Sequence, residues 1–359
     1  MRGPFELSVV VPVLDEEEAI RALLADLAAQ REVVLEVVLC DGGSNDGTVR
    51  VAGKAAGEVG LTLTLVRSGG GRGRQLNAGV PATRAETLLF LHADSRFGDP
   101  LALRRGLDAL AAATRDHDRS AGRFGLRFDR SAPGADLGYY FHECKARLDR
   151  PGCIHGDQGL LVRRTLFDRV GPFPETVPML AETRFAGAVR REASWLLLPA
   201  EIHTSARRFE EEGPAERRTL NAIIMNLDAV GQEGLLAALP ELYRHRGEAG
   251  PARHGAVLAG IARWIAAMPP AERRAFWRDT GACVRDNAWQ LAYLLDVRRA
   301  FRRGLSPGGE THRSLRRFDR WVYPLINSWI GALIASLLTR LWFRQIVRAA
   351  CRRAGSRVD

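Results

Sequence analysis

Short apolar runs alternate with helical patterns over the first part of the chain. Four runs rich in leucine or β-branched residues lie at 7–13, 34–40, 61–66 and 87–91. Runs of this length are typical of strands buried on both faces. Behind the first run, an acidic turn precedes apolar residues spaced three to four apart, namely Ile20, Leu23, Leu24 and Leu27. This spacing predicts an amphipathic helix. The alternation predicts a mostly parallel α/β sheet, in which ligands bind beyond the carboxyl ends of the strands.

The pattern changes after Pro199. Strand signals stop there, and helical periodicity continues over 216–246, 254–268, 271–303 and 313–353. Proline and glycine residues separate these helical segments. We therefore expect two domains, an α/β domain over 1–213 and an all-α region over 214–359.

The composition is that of a globular protein, with 46% hydrophobic and 26% charged residues in a chain of 359. The net charge of +10 comes almost wholly from arginine, because Lys54 and Lys145 are the only lysines. Guanidinium groups favour phosphate-bearing partners, although genomic base composition explains the arginine excess equally well. Five cysteines without a CxxC pair indicate a reducing compartment rather than a disulfide framework or zinc site. A strand pattern from the N-terminus argues against a secretory signal.

Carboxylates follow three of the four apolar runs. Asp15 and Glu16 come after the first run, and Asp41 opens the turn DGGSNDGT after the second. Asp94 follows the fourth run, two residues after His92. Because parallel strands end at the same edge of a sheet, these side chains are expected near one another, where a carboxylate suits a hard divalent cation.

A glycine-rich segment, GGGRGRQLNAG at 69–79, lies between the third and fourth runs. Its glycines expose backbone N–H groups, and Arg72 and Arg74 offer paired donors for phosphate. Taken alone, such a loop is more often a flexible connector, and a DGG turn is more often a simple Asx turn with a helix cap.

Together these motifs resemble family 2 glycosyltransferases of the GT-A fold, a Rossmann-like, mostly parallel α/β architecture. The matching segments, in the order that the family shows them, are VVVPVLDEEEAI, VVLCDGGSNDGT, GRGRQLNAG and LLFLHADS. Later segments, HGDQG at 155–159 and TSARRF at 204–209, are similar to a bacterial subgroup with GDQG and SARRW motifs. The resemblance covers roughly residues 7–225, and several motifs in the correct order make chance similarity improbable.

The resemblance implies a pocket for a nucleotide diphosphate-sugar, with a UDP-sugar as the expected donor. Asp41 would contact the base, and Arg74 would face the diphosphate. The remaining residues expected at the donor are Pro12, Asp15, Glu16, Asn77 and Ala93.

The resemblance also implies a weakly held Mg²⁺ or Mn²⁺. Asp94 is the remaining carboxylate of the family's DxD-type element, and His92 stands where many relatives have the first Asp. The expected metal ligands are thus Asp94 and His92, helped by oxygens of the substrate. His203 is a possible further ligand, but a packed or surface histidine is the more common explanation.

Inverting transfer needs a base that deprotonates the acceptor hydroxyl, and the resemblance implies that Glu182 supplies it. Relatives carry an acidic pair at this place, whereas here the pair is Ala181 and Glu182. Asp157 is the second candidate for the base. Arg207 and Arg208 would hold phosphate on the donor or the acceptor.

The C-terminal region carries a membrane signal. The stretch 321–339 has no formal charge, and it fits a transmembrane span, a buried bundle helix or an interfacial segment. Beyond it, arginines repeat every four residues at Arg340, Arg344, Arg348 and Arg352, which predicts a basic amphipathic helix. We expect a cytoplasmic protein, peripheral at the cytoplasmic face of the membrane, with an unknown acceptor that a lipid carries.

Two other classes of protein stay open. A nucleotidyltransferase on a similar sheet would need a glycine-rich first loop with a lysine, and the first loop is PVLDEEE instead. A non-catalytic sugar-nucleotide sensor or membrane scaffold would explain Ala181. No specific nucleic-acid partner is expected, since the basic tail predicts nonspecific attraction at most.

Overall fold

The computed structural model describes residues 5–115, 118–131, 134–177, 179–244 and 251–353. Pro178 and the end of the predicted helical segment 216–246 lie outside these residues. The chain divides into two compact units, one of residues 1–130 and 145–205 and the other of 131–144 and 206–359. Residues 131–144 join the second unit although nothing in the sequence pattern separates them from the first. The second unit resumes at Ala206, whereas the sequence pattern places the change near Gly213.

Within the described residues of the first unit, seven strands form one sheet. The strands are β1 Leu7–Val13, β2 Leu35–Asp41, β3 Thr62–Arg67, β4 Thr87–Phe90, β5 Ser120–Asp129, β6 Leu160–Arg163 and β7 Ser194–Ser205. Their order is β3-β2-β1-β4-β6-β5-β7. The pairs β1–β2, β1–β4, β2–β3 and β5–β7 are parallel, and β6 is antiparallel to both of its neighbours. The predicted α/β class with a mostly parallel sheet is therefore confirmed.

Two expectations about the strands are wrong. The strand β3 is partly exposed along its whole length, because it lies at the edge of the sheet rather than inside it. Strand structure also continues beyond Pro199, since β7 extends to Ser205. The polar residues His203, Thr204 and Ser205 hide this strand from a search for apolar runs.

Helices cover the sheet. They are α1 Glu17–Ala28, α2 Thr48–Val59, α3 Arg72–Gly79, α4 Ala102–Ala113, α6 Arg164–Val170 and α7 Ala181–Glu192, with short 3-10 turns at Val80–Ala82 and Gly156–Gln158. The helix α5 Leu137–Lys145 belongs to the second unit except for its last residue. The helix predicted behind the first strand is α1, and its apolar residues at positions 20, 23, 24 and 27 are all buried. Its acidic first turn, Glu17 and Glu18, suits the positive end of the helix dipole.

Alternate residues of β1 feed two core clusters. Val9 and Val11 pack with α1 on one side of the sheet, and Val10 packs with Phe90 and Phe173 on the other. This division follows from the period of two in a β-strand. The sheet is thus buried on both sides at β1. A ligand can therefore reach this part of the sheet only at the ends of its strands.

Helices make up the rest of the second unit. They are α8 Arg207–Glu212, α9 Pro214–Ala229, α10 Glu233–Arg244, α11 Pro251–Ala267, α12 Pro270–Asp286, α13 Trp289–Arg302, α14 Arg313–Arg317, a π-turn at Phe318–Val322, α15 Tyr323–Ile326 and α16 Trp329–Arg353. The expected all-α extension is present.

The uncharged stretch 321–339 does not form one helix. The chain leaves helical conformation at Asn327, and α16 begins at Trp329. The arginine-rich segment continues the same helix, so that apolar and basic residues share α16. Gly281 of α12 allows close packing here, because a Cβ atom at that position would lie 2.3 Å from the carbonyl oxygen of Ala332.

Candidate active site

The loops after β1 and β2 hold each other through hydrogen bonds. The amide of Asp15 donates to Ser44 Oγ at 3.0 Å, and the amide of Asn45 donates to Asp15 Oδ1 at 2.8 Å. Asp15 adopts a left-handed backbone with φ of 55°, a conformation that aspartate tolerates better than most residues. The buried Asp41 accepts a bond from the amide of Ser44 at 2.9 Å on Oδ1. These contacts fix the direction of both carboxylates.

Gln75 joins the ends of β1 and β2. Its Nε2 donates to the carbonyl oxygen of Val13 at 2.7 Å and to that of Cys40 at 2.9 Å. A Cβ atom at Gly42 would lie 2.9 Å from the Gln75 side chain, so the glycine makes room for this contact. Sequence reasoning missed Gln75, although its place in the glycine-rich segment was a signal that could have found it.

The glycine-rich segment sends its two arginines to different carboxylates. Arg72 begins α3 and lies 3.4 Å from Glu182, and Arg74 donates from Nε to Glu175 at 3.4 Å. Asn77 donates to Glu175 at 2.8 Å and to the carbonyl oxygen of Phe173 at 2.9 Å. In this arrangement Asn77 anchors the 173–175 segment, and Arg74 is held by a partner that a diphosphate would have to displace.

The end of β4 and the first turn of α7 meet at His92 and Glu182. The Nε2 atom of His92 lies 3.0 Å from Glu182 Oε1 and 3.2 Å from Arg72 Nη1. Burial by itself would raise the pKa of Glu182, but the charges of Arg72 and His92 outweigh it and lower the pKa to about 2. Gly156 lies beside this group, since a Cβ atom there would be 2.7 Å from both Glu182 Oε1 and His92 Nε2.

Asp157 follows that glycine in the 3-10 turn before β6. Burial raises its pKa, and although His155 and His92 oppose the shift, Asp94 and Glu182 add to it. Its Oδ1 atom is buried and has no hydrogen-bond partner among the described residues. The charges of His92, Asp94 and Glu182 all act on the carboxyl of Asp157. These four predicted site residues therefore lie near one another at one edge of the sheet.

The metal ligands expected from the sequence have different hydrogen-bond and ion-pair partners. Asp94 is half-buried, and Thr204 donates to its Oδ2 at 3.5 Å. His92 faces Arg72 and Glu182, and a cation at its Nε2 would be repelled by the guanidinium. His203 pairs with Asp129 at 2.8 Å. Within the described ranges, three or more His, Cys, Asp or Glu side chains are nowhere grouped to hold a metal.

The remaining predicted residues divide between the two units. Pro12 lies in β1 opposite Cys40, and Ala93 is buried directly before Asp94. The amide of Glu16 donates to Thr48 Oγ1 at 2.8 Å. Two exposed side chains begin α8 in the second unit, those of Arg207 and Arg208, and their contact with phosphate stays a prediction.

The α/β sheet, with polar side chains at its strand ends, is the architecture expected of a GT-A glycosyltransferase. Residues 8–164 match the profile described as Glycosyl transferase family 2. The PGL/p-HBAD biosynthesis glycosyltransferase of Mycobacterium bovis (strain BCG / Pasteur 1173P2) is 30% identical over 179 residues, which make up 50% of this chain and 67% of that protein. The chain belongs to glycosyl transferase family 2.

Two solved structures are more distant. The mannosyltransferase PcManGT from Pyrobaculum calidifontis, in complex with GDP-Man and Mn²⁺, is 18% identical with a TM-score of 0.47, covering 94% of this chain and 87% of that one. TarS 1–349 of S. aureus is 18% identical with a TM-score of 0.44, covering 83% and 92%.

Proposed function

We propose that this glycosyltransferase moves a sugar from a nucleotide diphosphate-sugar, with a UDP-sugar as the expected donor, by inverting displacement. The observation that carries the proposal is the group of ion pairs that Glu182 forms with Arg72 and His92. Asp157 and Asp94 lie close enough for their charges to interact with one another and with this group. Cationic and anionic groups therefore meet where the parallel strands end, which is where this class of sheet binds ligands.

The donor is held between the glycine-rich segment and the loops after β1 and β2, which hydrogen-bond to each other. Asp41, fixed by the Ser44 amide, accepts hydrogen bonds from the base, and Asp15 and Glu16 border the same pocket. Arg74 binds the diphosphate after its ion pair with Glu175 breaks. This pair is exposed, so its loss costs about 1 kcal/mol or less.

A divalent cation, Mg²⁺ or Mn²⁺, would be held by Asp94 together with phosphate oxygens of the donor. A single protein carboxylate suits such an ion, because Mg²⁺ keeps several other oxygen ligands when it binds next to phosphates. When bound, the cation would neutralise charge on the departing nucleotide diphosphate. His92 serves better as a partner of Glu182 than as a ligand, because Arg72 lies 3.2 Å away.

Asp157 is the better candidate for the general base. A carboxylate with a pKa near 2 takes a proton poorly, and Glu182 is also only 5% exposed. Asp157 has a raised pKa and is half-buried. In the displacement, the acceptor oxygen bonds to the anomeric carbon while the bond to the diphosphate breaks, and Asp157 takes the hydroxyl proton. Glu182 then holds Arg72 and His92 in position.

The acceptor is proposed to be lipid-linked, at the cytoplasmic face of a membrane. Large apolar side chains of α16 are exposed along one face, at Ile330, Leu333, Ile334, Leu337, Leu338 and Leu341. Among the described residues one helix, Trp329–Ala350, is apolar and long enough to cross a membrane, with mean hydropathy of 1.3 and 17% of the window buried. Because α16 still packs on α12, peripheral contact through its exposed face fits better than a span.

The experiment is a donor screen followed by two matched variants. We expect one of the UDP-, GDP- or dTDP-sugars to raise the melting temperature in the presence of Mn²⁺. Asp157→Asn should then lower kcat by roughly 10²–10⁴-fold with donor binding retained, and Glu182→Gln should lower it less. Full turnover in Asp157→Asn would exclude Asp157 as the base. Donor binding without turnover against any lipid-linked acceptor would favour the non-catalytic sensor.

A further inference from the structure

The helical unit contains a cavity of about 400 Å³ that the sugar-transfer site does not use. Helices α9, α11, α12 and α16 form its walls. The deep wall consists of buried apolar side chains, namely Leu227, Ile261, Ile265 and Phe276. At the rim, the side chains of Ala222, Val284, Leu338 and Trp342 are exposed. The cavity therefore opens to the outside and is lined by apolar side chains both at the rim and on the deep wall.

The wall offers very little to a polar ligand. Its polar side chains are Asn226, Thr280 and Thr339, and no charged residue lines it among those that the structure describes. Asn226 donates to Thr280 Oγ1 at 3.1 Å, whereas the buried Oδ1 atom of Asn226 has no hydrogen-bond partner among the described residues. Apart from these polar groups the lining is apolar, and the volume of the cavity is in the range that holds a small apolar ligand.

Positive charge lies next to the mouth. The guanidinium of Arg340 lies 5.6 Å from the ring centroid of Trp277, a residue of the cavity wall. Arg344 and Arg348 follow on the same face of α16, and both are exposed. Between 320 and 353 the described chain carries no acidic residue. An anionic group would therefore be stabilised beside an apolar entrance.

We propose that this cavity binds one hydrocarbon chain of a phosphate-bearing membrane lipid, with Arg340 next to the phosphate. The exposed apolar face of α16 adjoins the mouth at Leu338 and Trp342, which places the entrance where the helix would contact a bilayer. A bilayer phospholipid and a lipid-linked acceptor present the same two features, a hydrocarbon chain and a phosphate. The inference stands on the helical unit alone and needs no assumption about the donor.

The test uses dodecyl phosphate, below its critical micelle concentration, as the probe on the full chain. Ala222→Phe and Val284→Trp narrow the mouth from exposed positions, which avoids overpacking the core. Ala229→Phe is the matched control, because Ala229 is exposed on the same helix but does not line the cavity. We expect both mouth variants to weaken binding at least tenfold and the control to bind within twofold of the wild type.

A second measurement locates the chain inside the cavity. Dodecyl phosphate brominated along its chain should quench tryptophan fluorescence. Trp277→Phe together with Trp342→Phe should remove most of the quenching, because both tryptophans line the cavity. Arg340→Gln should weaken dodecyl phosphate but leave 1-dodecanol unchanged. Stronger competition by vesicles that contain a polyprenyl phosphate than by phosphatidylglycerol vesicles would identify the lipid as the acceptor, and equal competition would identify bilayer phospholipid.

Several results would overturn the proposal. Wild-type affinity in both mouth variants, or no quenching by the brominated chain, would show that the cavity does not hold the chain. A dimer that dissociates in Ala222→Phe, without any binding of dodecyl phosphate, would assign the cavity to a second copy of the chain. The melting shift caused by the nucleotide-sugar should be unchanged in all mouth variants, so that failure here leaves the proposed sugar transfer untouched.

Discussion

Replacing Glu182 by glutamine removes one negative charge from a buried group while keeping its shape. In the structure the carboxylate of Glu182 lies 3.0 Å from His92 and 3.4 Å from Arg72. Glutamine can still accept a hydrogen bond from His92, so that the main loss is electrostatic. Leaving the guanidinium of Arg72 without its counter-charge adds to the cost.

The magnitude follows from the pKa. Burial raises it, but Arg72 and His92 lower it more strongly, from the usual 4.5 of a glutamate to about 2. A shift of this size corresponds to a stabilisation on the order of 3 kcal/mol when Glu182 is ionised. Because the folded pKa is below the unfolded one, the stabilisation is complete above about pH 4.5 and is lost as the pH falls towards 2.

The assay is the difference in free energy of unfolding between wild type and Glu182→Gln, measured by urea denaturation from pH 7 to pH 3. We expect the variant to be less stable by on the order of 3 kcal/mol at pH 7, with a difference that shrinks below about pH 4.5. Glu175→Gln is the control, because its partner Arg74 is exposed and the pair contributes about 1 kcal/mol or less. A difference that stays constant across this pH range would refute the electrostatic explanation.

Three further substitutions test the contacts of Gln75 and Gly79, with Gly53 of α2 as the control for Gly79. Gln75→Leu should destabilise the fold by about 1–3 kcal/mol, because the carbonyl oxygens of Val13 and Cys40 lose the Gln75 amide donor, with Val13 keeping the bond from the Gly42 amide. The substitution should also raise the KM for the nucleotide-sugar in steady-state kinetics. Gly79→Ala should destabilise by about 1–3 kcal/mol in thermal melting, since the new Cβ would lie 2.4 Å from Cys40 Sγ. Gly53→Ala, with nothing within 4 Å, should instead stabilise by about 0.5–1 kcal/mol. Equal effects of the two alanine substitutions would contradict the close approach at Gly79.

The sequence predicts the central strands well because their burial is continuous. The run at 7–13 coincides with β1, where every residue is buried. The sequence does not predict β5 and β7, since polar and charged residues such as Arg123 and His203 interrupt them, and β6 is only four residues long. Arg123 is 1% exposed, and sequence periodicity gives no reason to bury an arginine. Burial of this kind depends on tertiary contacts that no local pattern encodes.

For the candidate site as well, the sequence predicts some residues and misses others. Residues at strand ends, such as Asp41 and Asp94, could be predicted because the sheet's topology decides where strands end. The partners of these residues could not, because they come from distant segments. Arg72 meets Glu182 across 110 positions of sequence, and Asn77 bonds Phe173 across 96. The sequence marked both arginines of the glycine-rich segment as phosphate ligands, and the structure pairs each with a carboxylate.

The packing around Ala181 accounts for the missing second acid. Ala181 is 1% exposed and belongs to the same core cluster as Phe173 and Phe185. A Cβ atom at Gly73 would lie 3.2 Å from that of Ala181, so the space is closed from the side of the glycine-rich segment as well. An aspartate at position 181 would bury a charge there, because Glu182 already engages Arg72 and His92, and an unpaired buried charge costs several kcal/mol. The first turn of α7 thus accommodates one ion-paired carboxylate, which supports the proposal that the general base is Asp157, outside this helix.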